Sequence, residues 1–393
     1  MSKKTFIKRS RFNREKEPPP TQQKNLRPWR VAVLANLHCD HFSADEPPDK
    51  GGDYDSMETI TRICNAIRNV GHNVRFIPAD RNLPQAIIDF KPDMCFNISE
   101  GLNGDSREAQ VPAFLELMGI PYTGSRVLTN ALALDKPLTK KVWAAAGLPV
   151  AFSQTMTGAD EPLDPSLVFP LIVKPAREGS GMGLHKNSLV QNETELRHQV
   201  DRITRLYRQP ALIEQFLPGR EFTVGVMGRP GAQLRRPDLY NEDGYRLFPI
   251  AEIFTPDSGK GYSFCDYNIK SVDADTAVCP ADISDEFRDK LYDLVLRAHK
   301  SLECTDISRT DIRCDEHGNP FLLEINPLPG LSKNSHIPTV SRASGMSFEE
   351  LVLEILYLGS TRYGIQPVVQ PPVRNDYYQW QYSFRHYSQA TSI

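Results

Sequence analysis

Between Arg309 and Gly330 the chain reads RTDIRCDEHGNPFLLEINPLPG, and no other stretch narrows the possible folds as far. TDIRC alternates in side-chain character, DEHGNP supplies a turn with Gly318 and Pro320, and FLLEIN returns as a second strand. The segment is therefore expected to be a β-hairpin. Successive strand residues point to opposite faces, so the pairing puts Asp311 and Glu324 on one face, with Asn326 two residues further along it. Two carboxylates and an amide oxygen suit a hard cation such as Mg²⁺. If that face is closed it needs a metal or nearby cations, because an unpaired buried acid pair is costly. The other reading is a surface hairpin with solvated carboxylates.

Upstream, the pattern is that of a wrapped parallel sheet. Residues 30–37 form a short apolar run, residues 57–70 an amphipathic helix with Ile60, Ile63, Cys64 and Ile67 on one stripe, and NVRFIPA a second strand. A helix over 83–90 and the strand DMCFNIS follow. This β-α-β-α-β order predicts an α/β domain with a small parallel sheet. The loop SEGLNGDSREAQ then falls at the carboxyl end of that sheet, where open α/β sheets bind ligands. The loop at 38–55 carries His38, Asp40, His41, Asp45 and Glu46, but their spacing fits no metal template and predicts a solvated or substrate-covering loop. Further helices are expected over 110–117, from 134 to Gly147, over 193–207, over 283–301 and over 347–358. The resulting division is a basic tail (1–28), an N-terminal parallel-sheet domain (29–128), a central subdomain (129–211), a C-terminal subdomain (212–360) and a polar aromatic tail (361–393). The last tail either packs back on the body or contacts a second subunit of a homodimer; both stay open.

Composition excludes several classes of partner. A net charge of −3 argues against a nucleic-acid binder held by bulk charge. No apolar run approaches the roughly 18 residues of a membrane span, and the basic N-terminus lacks the apolar core of a secretory signal. The seven cysteines contain no CxxC pair, which predicts reduced thiols and a cytoplasmic protein.

Four features besides the hairpin suit a nucleotide triphosphate. Lys136 opens a helix and Lys174 ends a strand, and each offers a point charge to phosphate oxygens. The loop Gly179, Ser180, Gly181 can bring backbone N–H groups against phosphate. Glu214 and Glu221 flank a turn whose backbone at Gln215 and Leu217 can meet a base edge, with Glu221 placed for ribose hydroxyls.

In this order the residues resemble the ATP-grasp ligases, and within them D-alanine–D-alanine ligase. The resemblance is carried by LMGIPYTGS (117–125), ALDKPLTK (133–140), AAAGLPV (144–150), LIVKPAREGSGMG (171–183), LIEQFLPGREFTVGV (212–226), DISRTDIR (306–313), LLEINPLPGLSKNSHIP (322–338) and GMSFEELVLEIL (345–356). It implies an N-terminal domain followed by central and C-terminal ATP-grasp subdomains, with ATP and Mg²⁺ (Mn²⁺ as the substitute) as cofactors. Lys136 and Lys174 look like the two phosphate lysines, and Ser180 like the serine that covers γ-phosphate and substrate. Glu214, Gln215 and Leu217 match the adenine turn, and Glu221 the ribose acid. Lys270 resembles the lysine of a mobile loop, and Arg309 the arginine aimed at the developing oxyanion. Asp311, Glu324 and Asn326 match the metal ligands, and Gly330, Ser335 and His336 fall where the second substrate's carboxylate is held.

The first-substrate half departs from the family. Its Gly-Gly-x-Ser-x-Glu signature is replaced by NLHCDHFSADEPPD, which leaves Glu58 as the candidate ammonium contact. Its His-Gly…Glu-Asp-Gly loop is replaced by NISEGLNGDSREAQ, with Glu100 and Arg107 as candidates. The expectation is an ADP-forming carboxylate–amine ligase for small amino-acid-like substrates with an altered acyl site. The alternatives are a true D-alanine–D-alanine ligase of cell-wall synthesis and a nucleotide-binding regulatory protein without ligase activity.

Overall fold

The computed structural model describes residues 28–38, 46–254 and 276–365. Lys270 and its loop, residues 1–27 of the basic tail and residues 366–393 of the aromatic tail lie outside the described residues, as do Asp40, His41 and Asp45.

Strand β1 (Arg30–Ala35) is almost wholly buried, as a near-continuous apolar run requires. It is the centre of a three-stranded parallel sheet between β2 (Asn73–Pro78) and β3 (Met94–Asn97). Helix α1 (Met57–Arg68) starts at Ser56, whose hydroxyl accepts the amide of Thr59, and buries Ile60, Ile63, Cys64 and Ile67. Helices α2 (Leu83–Phe90) and α3 (Gln110–Met118) complete the wrapping.

A second, antiparallel sheet contains β4 (Ser153–Met156), β5 (Leu171–Pro175), β6 (Leu189–Val190) and β7 (Ala211–Gln215), in the order β4-β7-β5-β6. Helix α6 (Glu193–Leu206) covers it with Leu196, Val200 and Ile203, spaced by four and three residues. The third sheet holds β8 (Glu221–Gly228), β9 (Tyr245–Leu247), β10 (Ala251–Phe254), β11 (Thr276–Val278), β12 (Ile307–Cys314) and β13 (Pro320–Asn326). Its path is β11-β10-β8-β12-β13, with β9 beside β8. One face packs on α7 (Asp285–Ser301) through Leu291, Leu294, Val295 and Ala298, and on Trp143. The expected hairpin is β12 and β13, in antiparallel register.

Packing divides the chain differently from the sequence-based boundaries. Helices α4 (Val127–Leu134) and α5 (Lys136–Ala145) belong to the core under the third sheet, where Ala133 and fully buried Trp143 lie with Phe222. A boundary at 128/129 cuts α4, and one at 211/212 cuts β7 away from the second sheet. Two further helices were not expected in this form. Helix α8 (His336–Ala343) starts at the end of SKNSHIP, a stretch that reads as loop; Pro338 sits in its first turn, where a missing N–H removes no helical bond. Helix α9 (Phe348–Arg362) runs past 360 and packs on α1, which places the first and last described helices in one core. Arg362 then donates to the carbonyls of Gly124 (2.8 Å) and Tyr122 (2.7 Å).

Candidate active site

The open face of the third sheet faces the second sheet across a cleft lined by β5, β7, β12 and β13. Alternation along the strands decides which side chains reach it. Asp311 pairs with Glu324 and Arg309 with Asn326, so all four lie on one face. The register shifts directly after Asp311, and Ile312 pairs with Leu322 in the core. Strand alternation gives the hairpin an acidic and an apolar face, and the bulge leaves Leu323 without a cross-strand partner.

The acids on this face are held by cations. Arg309 grips Asp311 through Nε (3.0 Å) and Nη2 (2.8 Å), and Thr223 donates to Asp311 Oδ1 at 2.6 Å. Glu324 has Lys136 Nζ at 3.4 Å and Arg309 Nη2 at 3.9 Å. Asn326 Oδ1 accepts the amide of Leu328 at 2.9 Å. Two opposed carboxylates and an amide oxygen are an all-oxygen donor set of the kind that fits a hard divalent cation.

Above this face stands a buried ion triad. Glu214 pairs with Lys140 and, at 2.7 Å, with Lys174, and all three side chains are under 10% exposed. Burial disfavours charge on each of them. For Glu214 the two lysines more than offset burial, so its carboxyl lies below the usual range. The lysines move oppositely although they share one acid. Burial pulls Lys140 down and Lys174 repels it, whereas for Lys174 burial is outweighed by Glu214, with Glu324 and Glu221 adding, and it ends above its ordinary value. The expected adenine turn begins at Glu214, whose carboxylate holds the two lysines. Lys140, one turn after Lys136 on α5, reads as an ordinary helix lysine.

Lys136 Nζ also donates to the carbonyl of Glu178, at the start of the Gly-rich loop. The helix N-cap Asp135 accepts the amide of Leu138 and pairs with Arg177 Nε at 2.7 Å, which ties the loop to α5. Ser180 has a φ of 50°, a left-handed conformation rare for a serine. Gly183, with φ 79°, could carry no side chain: a Cβ would meet Pro175 at 2.3 Å. Its amide donates to Asp49 (2.7 Å), and Tyr207 donates to the same carboxylate at 2.8 Å. The described part of the 38–55 loop is therefore docked on the Gly-rich loop, not solvated. At the other end of the cleft, Arg313 Nη1 holds Glu221 at 2.8 Å and Arg313 Nε donates to the Leu217 carbonyl at 2.6 Å. Gln215 Oε1 accepts the amide of Val168.

The structure separates the remaining expected residues. Ile337 of α8 packs toward Gly225, and Gly225 is the cross-strand partner of Arg309. The start of α8, with Ser335 as N-cap and His336 as first residue, thus lies over the same face as Arg309. Gly330 sits beside Ser335. Glu58 is a correction. It is exposed in the first turn of α1, because Thr59, Ile60 and Ile63 occupy the inward stripe. Glu100 lies beside Arg107 and is not among the residues that line the cleft. Arg107 lies between Glu100 (3.5 Å), Asp53 (2.7 Å) and Glu178 (3.3 Å). Burial, then Asp53 and Glu108, raise Glu100 well above the carboxylate range. Burial, then Asp53, push Asp55 up to about 7. Asp53, Glu108 and Glu178 were not singled out, since each looks like a solvated loop acid until the chain folds.

Among the described residues no helix is long and apolar enough to cross a membrane. Residues 142–357 match the family described as D-ala D-ala ligase C-terminus. The D-alanine–D-alanine ligase of Brucella anthropi is 34% identical over 331 residues, covering 82% of this chain and 95% of that protein. The enzyme of the same name from Desulfotalea psychrophila is 36% identical, covering 68% and 78%. The uncharacterized protein y4sG of Sinorhizobium fredii is 30% identical, covering 77% and 87%. The solved D-alanine–D-alanine ligase of Bacillus anthracis complexed with ATP superposes with a TM-score of 0.61 over 84% of this chain and 97% of that one, at 20% identity. With the ATP-grasp arrangement of sheets and cleft described above, these matches establish that the chain belongs to the D-alanine–D-alanine ligase family of ATP-grasp ligases.

Proposed function

We propose that this ligase activates an amino-acid carboxylate with ATP and joins it to the amine of a second substrate, releasing ADP and phosphate. The observation that carries the reading is the opposition of Lys136 and Lys174 to the Arg309, Asp311, Glu324, Asn326 face across one cleft. A carboxylate oxygen attacks the γ-phosphorus, the bond to ADP breaks, and an acylphosphate forms. The amine attacks its carbonyl carbon, loses a proton and expels phosphate. Lys136 and Lys174 neutralise phosphate charge during transfer. The guanidinium of Arg309 serves the oxyanion of the tetrahedral stage. Asp311, Glu324 and Asn326 would hold Mg²⁺, or Mn²⁺, which neutralises charge on the phosphates when bound. Backbone at Leu217 and Glu221 serve the base and ribose, and Gly330, Ser335 and His336 the second carboxylate.

The names of the relatives favour D-alanine for both substrates. The replaced loops around Glu100 and Arg107 favour a different acyl donor. Purified protein with ATP, Mg²⁺ and a panel of amino acids decides the matter by phosphate release and product mass. Release with D-alanine alone supports the relatives' specificity. Tight ATP binding with no release from any donor supports a nucleotide-binding regulator instead. Asp311→Asn should reduce turnover at least a hundredfold, about 3 kcal/mol of transition-state stabilisation, while ATP binding changes far less. Unchanged turnover would contradict the metal-site assignment.

A further inference from the structure

The Gly-rich loop is held from outside by a segment of the N-terminal domain. Residues 47–55, between β1 and α1, form a chain of tight turns. The amides of Lys50, Gly52 and Tyr54 donate to the carbonyls of Pro47 (3.1 Å), Asp49 (3.0 Å) and Gly51 (3.0 Å). At its far end the segment joins the parallel sheet, where the Asp55 amide donates to the Asn36 carbonyl at 2.9 Å. Tyr54 donates to the Gly101 carbonyl at 3.2 Å, and Asp53 pairs with Arg107 at 2.7 Å. Fixed on these sides, the segment presents Asp49 to the Gly-rich loop. Asp49 Oδ2 accepts the Gly183 amide at 2.7 Å, and both carboxylate oxygens lie 2.8 Å from the hydroxyl of Tyr207, the C-cap of α6. Asp49 is 6% exposed. A buried carboxylate is tolerated only when hydrogen-bonded, and bonds to a charged oxygen are the stronger kind.

The loop needs such a hold. Ser180 has φ 50°, a conformation that persists in a residue with a side chain only where the surroundings over-determine it. The amides of Met182 and Leu184 donate within the loop, to the carbonyls of Gly179 and Gly181, both at 2.9 Å. The Gly183 amide leaves the loop and goes to Asp49. On its other side Gly183 abuts Pro175, the residue after Lys174, so closely that no Cβ would fit. Gly183 is thus pinned between β5 and Asp49. Gly181 and Met182, directly before it, line the nucleotide cleft. Asp49 therefore bears on the phosphate end of the cleft and not on the end formed by Leu217 and Glu221.

Resting on the nucleotide site of the ligase reading above, we propose that Asp49 is a positioning residue for phosphate. It holds Gly183 so that the Gly-rich loop keeps its phosphate-binding shape, without itself touching the nucleotide.

The test measures binding of β,γ-imido-ATP and of AMP, each with Mg²⁺, to the full-length protein by calorimetry. Asp49→Ala should weaken imido-ATP binding ten- to a hundredfold, on the order of one hydrogen bond to a charged group, and leave AMP binding unchanged. A merely structural role would weaken both alike. Asp49→Asn keeps the shape and one oxygen for the Gly183 amide; it should weaken imido-ATP binding about fivefold and serves if the alanine variant fails to fold. Equal losses for the two ligands, or no loss for imido-ATP, overturn this inference and leave the ligase reading intact. If the wild-type protein binds imido-ATP no more tightly than AMP, the inference and the phosphate assignment fall together. Phosphate release tests ligation separately. Its absence with every donor, alongside a triphosphate preference that the Asp49 variants lose, sinks the ligase reading and upholds this inference.

Discussion

Replacing Glu214 by glutamine tests the buried ion triad that it forms with Lys140 and Lys174. Glutamine keeps the shape and removes the charge, leaving Lys140 and Lys174 buried without the acid that pairs with both. At 2.7 Å the Glu214–Lys174 attraction is about 6 kcal/mol gross in an effective dielectric of roughly 20. Desolvation cancels part of this, and breaking a buried pair from one side costs about 3–5 kcal/mol net. A lysine can escape by losing its proton, which at pH 7 costs about 4.6 kcal/mol from an ordinary value near 10.4; this caps the penalty per lysine at a similar size. The variant should therefore lose about 3–5 kcal/mol of folding stability, or roughly 4–6 °C in Tm for a chain of 393 residues. The sign of the pH dependence is fixed by the same argument. As pH rises toward 10 the lysines shed protons more cheaply, so the deficit against wild type should shrink. Denaturant unfolding of both proteins at pH 7 and pH 9.5 measures it. A deficit below about 1 kcal/mol, or one that does not change with pH, refutes the reasoning.

Two other perturbations follow from single features. His299 is fully buried with Nδ1 2.7 Å from Ser308 Oγ, and burial lowers its pKa from 6.5 to about 3. Between those values the unfolded chain binds a proton that the native state refuses. Its contribution to stability therefore falls as pH drops below 6.5, by at most roughly 1.4 kcal/mol per unit; His299→Gln should flatten the slope of denaturation midpoint against pH, and identical slopes would contradict it. Gly101 has φ 77°, and a Cβ there would come 2.0 Å from the Arg107 carbonyl. Gly101→Ala should cost more than about 2 kcal/mol in chemical denaturation and displace Arg107, whereas wild-type stability would show that the loop yields.

What the sequence revealed follows from periodicity. A two-residue repeat put Asp311, Glu324 and Asn326 on one face, and the register of β12 with β13 agrees. A helical repeat put Ile60, Ile63 and Ile67 in the core, and they are fully buried. Lys136 and Lys174 stood at element ends, where a motif is visible. The features that escaped depend on distant partners. Nothing local in LTK says that Lys140 meets Glu214, more than seventy positions away. Nothing in GDSREAQ says that Arg107 meets Asp53 and Glu178 from two other segments. The one-residue slip after Asp311 is a property of paired strands, not of either strand alone. Glu58 failed for a simpler reason: one residue along a helix is a turn of about 100°, and the inward stripe begins at Thr59.

The central claim is that a carboxylate takes the γ-phosphoryl group of ATP in the cleft between the second and third sheets. It is tested most directly with an amino-acid donor whose carboxylate carries heavy oxygen, by mass spectrometry of the phosphate released with the product. Transfer of one labelled oxygen to phosphate in each turnover is the predicted result. Product formed together with wholly unlabelled phosphate would contradict the account.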